Sequence, residues 1–250
     1  MIDFSLSFFA VALPAVLFAG ISKGGFGSGA AFAASTILAL VLEPGAALGL
    51  MLPLLMVMDA AGMRAYWRRW SPVDARRLVL GALPGVGLGA LFYAAVSADG
   101  VRLLIGAISV GFVLWQWALK AGLKFGARPM GAAGGITAGV VAGFSSFVSH
   151  AGGPPAAVYL LTRPLDKTAF QGTTVLVFTV INALKMLPYG FLGIFTLNSL
   201  LADVILAPVA VLGTWIGVRL HYMVSKETFF ALTYVLLLAT GGKLIFDALT

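Results

Sequence analysis

Apolar runs of about 18 to 22 residues recur along the whole chain, and each is long enough to cross a hydrocarbon core as helix. Lipid offers exposed backbone groups no hydrogen-bond partner, so such runs are confined to helices or closed barrels, and the alternating strand pattern of a barrel is missing. Charged residues make up only 10% of the 250, which leaves no stretch polar enough for a soluble domain. The expectation is an all-α integral membrane protein, with residues 1–250 as a single membrane domain. The first run, Ile2 to Ala19, lacks a basic n-region and carries Asp3 instead, so it reads as a retained helix and not as a signal peptide.

Hydropathy predicts segments at 4–22, 28–42, 45–63, 78–96, 101–118, 131–148, 153–162, 169–190, 198–220 and 228–247. Two are short and follow glycine-rich breaks, Gly24-Gly25-Phe26-Gly27-Ser28-Gly29 and His150-Ala151-Gly152-Gly153-Pro154-Pro155. They read as half-helices that either span or re-enter, giving about eight to ten transmembrane or re-entrant helices. The predicted loop 64–77 holds Arg64, Arg68, Arg69, Arg76 and Arg77 against the single acid Asp74, which places it in the cytoplasm. Alternation then puts both termini in the periplasm, with Arg102 as the one clear basic exception. The net charge of +7 is thereby a topology signal, and no nucleic-acid partner is expected. Tryptophans 67, 70, 115 and 117 and Tyr222 fall near span ends, as interfacial belts do.

Laying residues 131–247 over 4–118 at an offset of about 123 brings Ala19-Gly20 onto Ala142-Gly143, Gly29 onto Gly152 and Asp59 onto Asn182. Gly85 and Gly89 meet Gly213 and Gly217 after a further shift of about five residues. Each half holds an odd number of segments, so the expectation is two inverted-topology repeats, the architecture of many secondary transporters. Small-xxx-small pairs also serve simple close packing of helices.

A break at membrane depth leaves amide N–H groups without partners, and two such helix starts converging would favour an anion. Candidate binding residues are Lys23, Gly27, Ser28 and Gly29 at the first break, and His150, Gly152 and Gly153 at the second. Gln171, Thr174, Asn182 and Lys185, on the span 169–190, complete the set. Lys23 either faces a cavity or snorkels to the interface; Lys185 either meets the anion or pairs with Asp59 or Asp203. Asp59 and His150 are candidates for proton coupling, although Asp59 would equally neutralise Lys185 and His150 would equally cap a helix. The glycines serve either ligand approach or tight crossings. With no cysteine in the chain, thiolate metal sites and a cysteine nucleophile are excluded; no metal or cofactor is expected.

At Ala19-Gly20-Ile21-Ser22-Lys23-Gly24-Gly25-Phe26-Gly27, His150-Ala151-Gly152-Gly153-Pro154-Pro155, Phe170-Gln171-Gly172-Thr173 and Asn182-Ala183-Leu184-Lys185, the chain resembles the sulfite exporter TauE/SafE family, also called TSUP. The resemblance covers nearly the whole chain. It implies a bacterial inner-membrane protein, usually of eight spans, that moves sulfite, organosulfonates or related carboxylates. The expected partners are a small anion and the bilayer, with a homodimer left open. Two rival functions are a passive anion channel and an intramembrane hydrolase using His150. The second is disfavoured, since neither a G-x-S-x-G elbow nor an H-E-x-x-H pair occurs.

Overall fold

The computed structural model describes residues 4–26, 31–122, 129–221, 223 and 226–250, the last without the side chains of 226–230. The elements are α1 (Leu6–Ile21), a π-helical turn (Ser22–Phe26), α2 (Phe32–Leu38), α3 (Pro44–Ala65), α4 (Pro72–Ala95) and α5 (Ala98–Lys120). They continue with α6 (Ala132–Ser149), α7 (Gly153–Leu160), α8 (Lys167–Phe191), α9 (Leu197–Leu220) and α10 (Lys226–Leu249). Among the described residues, 8 helices are long and apolar enough to cross a membrane, while α2 and α7 are not. The all-helical membrane fold expected from hydropathy is the fold observed.

One expected boundary is wrong, for a local reason. The helix predicted to start at residue 78 starts at Pro72, because the Ser71 hydroxyl accepts the Asp74 N–H and proline suits the first helical position. Arg76 and Arg77 therefore lie on α4, and the loop predicted over 64–77 shrinks to the few residues between α3 and α4. The first helix ends at Ile21, close to the expected boundary, but the chain runs on directly into the π turn and carries Lys23 inside the protein. Arg102, the exception to the charge rule, is paired with Asp99 three residues before it.

The core contains two unusually close crossings. On α1 and α9, a Cβ at Gly20 would lie 2.8 Å from the Ala210 carbonyl oxygen, and one at Gly213 would lie 2.6 Å from that of Leu17. On α4 and α6, a Cβ at Gly143 would lie 2.6 Å from the Ala82 carbonyl oxygen, and Gly85 is pressed against Val140 in the same way. Backbones approach this closely only where neither helix carries a side chain at the contact. Substituting Gly85→Val should cost about 2 kcal/mol or more by overpacking and lower the unfolding midpoint of the detergent-solubilised protein. Gly87→Ala, two residues along the same helix, meets nothing within 4 Å and should leave that midpoint unchanged.

Helix α7 is too short to hold itself, and its far end is tied down at the arginine-rich face. Asp74, the lone acid of that region, is buried there and accepts from the Tyr159 hydroxyl at 2.6 Å. It also pairs with Arg163 at 3.0 Å and accepts from the Ser71 hydroxyl at 2.7 Å. The near end of α7 is fixed by His150, which terminates α6 in the left-handed region at φ 57°, ψ 11°. Its backbone N–H and that of Ala151 satisfy the carbonyls of Ser146 and Ser145.

Candidate functional site

Midway through the protein, the π turn, α3 and α8 bring ionisable groups together away from water. The Lys23 ammonium lies 2.6 Å from Asp59 Oδ1 and 3.4 Å from the Leu55 carbonyl oxygen. Asn182 donates to the other carboxylate oxygen of Asp59 at 2.7 Å. Lys23 is 4% exposed and Asp59 1%, so the lysine does not snorkel; it is the inner half of a buried ion pair. The two residues matched between the halves, Asp59 and Asn182, touch each other.

One helical turn beyond Asn182 lies Lys185, fully buried. Its ammonium donates to the Ser146 carbonyl at 3.0 Å, the Ser146 hydroxyl at 3.1 Å and His150 Nδ1 at 2.8 Å. Since Nδ1 accepts, the imidazole proton sits on Nε2, which donates to the Leu48 carbonyl at 3.1 Å. Every partner of Lys185 is neutral. Among the described residues it forms no ion pair: Asp59 is taken by Lys23, and Asp203, although 7% exposed, has neither oxygen hydrogen-bonded there. Tyr189, one further turn along α8, lies under the ammonium, with the ring centroid at 5.8 Å, and donates its hydroxyl to the Phe147 carbonyl.

The other expected site residues divide. Gln171 is buried and donates to the Lys23 carbonyl at 2.7 Å, whereas the Thr174 hydroxyl bonds the Phe170 carbonyl of its own helix. Gly152 is packed, since a Cβ there would lie 2.6 Å from both the Ala142 carbonyl oxygen and the Phe178 ring. Gly24 and Gly25 likewise admit the backbone of α9 at Thr214 and Gly217, so these three glycines serve helix crossings. Gly153 begins α7, but Pro154 and Pro155 behind it carry no N–H, so this helix start offers few amide donors to an anion. Gly27, Ser28 and Gly29 lie outside the described residues.

Three members of the centre went unnoticed in the sequence. Tyr189 follows Asn182 and Lys185 at helical spacing on one face of α8, a readable signal. Tyr66 and His221 carried none, because both fall at helix ends beside predicted loops. Each nevertheless bonds the first break, Tyr66 to the Gly24 carbonyl at 2.7 Å and His221 Nδ1 to that of Gly25 at 2.6 Å. A groove of about 570 Å³ lies between α5, α6 and α7 and reaches Ser145 and Ala151, the chain neighbours of Ser146 and His150. Its lining, which includes Phe112, Trp115, Val141 and Pro155, carries no charged group.

Eight membrane-length helices around a buried, cation-bearing polar centre define a multi-pass membrane protein whose interior is built to handle charge. The sulfite exporter TauE/SafE family matches residues 12–244, and the chain belongs to that family of membrane anion transporters. One relative, described as a probable sulfite/organosulfonate exporter TauE, comes from Cupriavidus necator. It is 26% identical over 185 residues, covering 72% of this chain and 70% of its own. No solved structure matches the chain.

Proposed function

We propose that the protein is a secondary transporter that carries a small anion such as sulfite, an organosulfonate or a related carboxylate by alternating access, in the exporting direction. The observation that carries this reading is Lys185: an ammonium with no exposure, held only by neutral acceptors. A buried cation without a counter-ion is costly, and an anionic guest supplies the missing charge. All three ammonium donors are already engaged, so the guest replaces one contact, and the Ser146 hydroxyl is the one free to turn and donate to it. Lys23 and Asp59 neutralise each other; in this reading they serve coupling, and Lys185, with His150 and Ser146, is the anion site.

Alternating access draws support from the matched halves. The contact of Gly20 with Ala210 and Thr214 is repeated by Gly143 with Ala82 and Val86, at the sequence offsets that relate the two halves. Such repetition fits two inverted repeats whose related residues Asp59 and Asn182 meet at a shared centre. A carrier is favoured over a channel because the central polar groups are occluded, with Lys23, Asp59, His150 and Lys185 all at most 6% exposed. The loop charges support an orientation in a bacterial inner membrane with the arginine-rich face toward the cytoplasm and both termini toward the periplasm.

The test is a thermal-shift screen with sulfite, small alkylsulfonates and short carboxylates, followed by flux in proteoliposomes. Binding to the folded state raises the midpoint, by about 2.7 kcal/mol of stability at a hundredfold excess over Kd. A carrier then shows counterflow of labelled sulfite against unlabelled. Current without counterflow would replace the carrier by a channel, and no shift with any of the anions would remove the assignment.

A further inference from the structure

The first break is held by more than its own ion pair. Three consecutive carbonyls of the π turn, those of Lys23, Gly24 and Gly25, each accept a hydrogen bond from a side chain on a different element. Gln171 reaches in from α8, Tyr66 from the end of α3, and His221 from the end of α9. The two last donors also touch, their rings meeting edge to face at 5.8 Å. Tyr66 is 1% exposed and His221 2%, so neither bond competes with water.

We propose that Tyr66 and His221 are positioning residues for Lys23: they clamp the backbone of the π turn so that the lysine side chain meets Asp59. Tyr66 follows Asp59 by seven residues, so α3 presents both on one face, about 10 Å apart along its axis. The helix thus grips the break at two points, the ammonium of Lys23 through Asp59 and the next peptide through Tyr66. His221 closes the other side, where glycines 24 and 25 let α9 lie directly against the turn. A π turn distributes its backbone bonds poorly, and the membrane interior supplies no water to repair them. Side-chain donors fixed to α3 and α9 make up the deficit and set where the turn sits.

The importance of the clamp for turnover rests on the transport reading above; its effect on the turn does not. Hydrogen exchange across residues 22–26, followed by mass spectrometry on the purified protein, reads the turn without any substrate. In Tyr66→Phe, which deletes one hydroxyl, and in His221→Gln, exchange should quicken about tenfold, the scale of one lost hydrogen bond. His221→Asn keeps a donor near the position of Nδ1 and should exchange like the parent. Sulfite counterflow should follow the same order, with kcat down about tenfold in the first two variants and KM within about twofold, because the anion site at Lys185 is untouched.

A general loss of folding would lower the unfolding midpoint and affect His221→Asn and His221→Gln alike, and that pattern overturns the proposal. Unchanged exchange in Tyr66→Phe does so too. Should the parent carry none of the anions while exchange keeps its expected order, the clamp stands and the transport reading falls.

Discussion

Lys185→Met should lower sulfite transport at least about thirtyfold while leaving the protein about as stable as its parent. The two halves of that result come from one fact. Truncating a charge that is desolvated and paired in a complex costs about 2–5 kcal/mol of binding, and each 1.4 kcal/mol is a factor of ten. The substrate complex contains that pair, but the empty protein does not, since Lys185 there meets only the neutral groups of Ser146, His150 and Tyr189 among the described residues. Replacing a buried ammonium that has no counter-ion by an apolar side chain of similar length relieves a desolvation cost, which offsets the loss of its hydrogen bonds to Ser146 and His150. The methionine variant should also lose the thermal shift given by sulfite, measured beside its own unfolding midpoint. A variant that still bound sulfite with parental affinity would move the anion away from Lys185.

Hydropathy made the membrane helices readable because the bilayer imposes a length that soluble packing does not. Boundaries followed different chemistry, the hydrogen bonding of helix ends, so a start at Pro72 was hidden behind Arg76 and Arg77, which hydropathy counts as loop. The site was legible only in its ingredients. Spacing along α8 places Asn182 and Lys185 together, but which lysine Asp59 pairs with depends on how the π turn lies against α3. No local pattern encodes that distance between Lys23 and Asp59, set by glycine-to-backbone contacts with α9. The glycines themselves were ambiguous for the same reason: close approach of a ligand and close approach of a helix require the same missing side chain. Pro154 and Pro155, by contrast, stood in plain view and already limited the amide donors at the second break.

Lys23→Met should be strongly destabilising, unlike Lys185→Met, because it strips Asp59 of its cation at a position 1% exposed. Removing one partner of a buried ion pair typically costs about 3–5 kcal/mol, since the remaining charge stays in a medium that cannot solvate it. Asn182 still donates to that carboxylate, but one amide does not replace an ammonium at 2.6 Å. Asp59→Asn should destabilise comparably, by orphaning Lys23. The double variant Lys23→Met with Asp59→Asn removes both charges and should recover most of the lost stability, since a buried pair is often worth little against a neutral replacement. Transport should not recover with it. If the pair opens and closes as the halves move, the neutral protein folds, binds sulfite at Lys185 and yet turns over slowly. Unfolding midpoints of the parent, both single variants and the double complete a mutant cycle whose coupling term measures the pair directly. Counterflow on the same four proteins then separates structural from functional need. Parental turnover in the stable double variant would show that Lys23 and Asp59 only neutralise each other, and coupling would have to be sought elsewhere, first at His150.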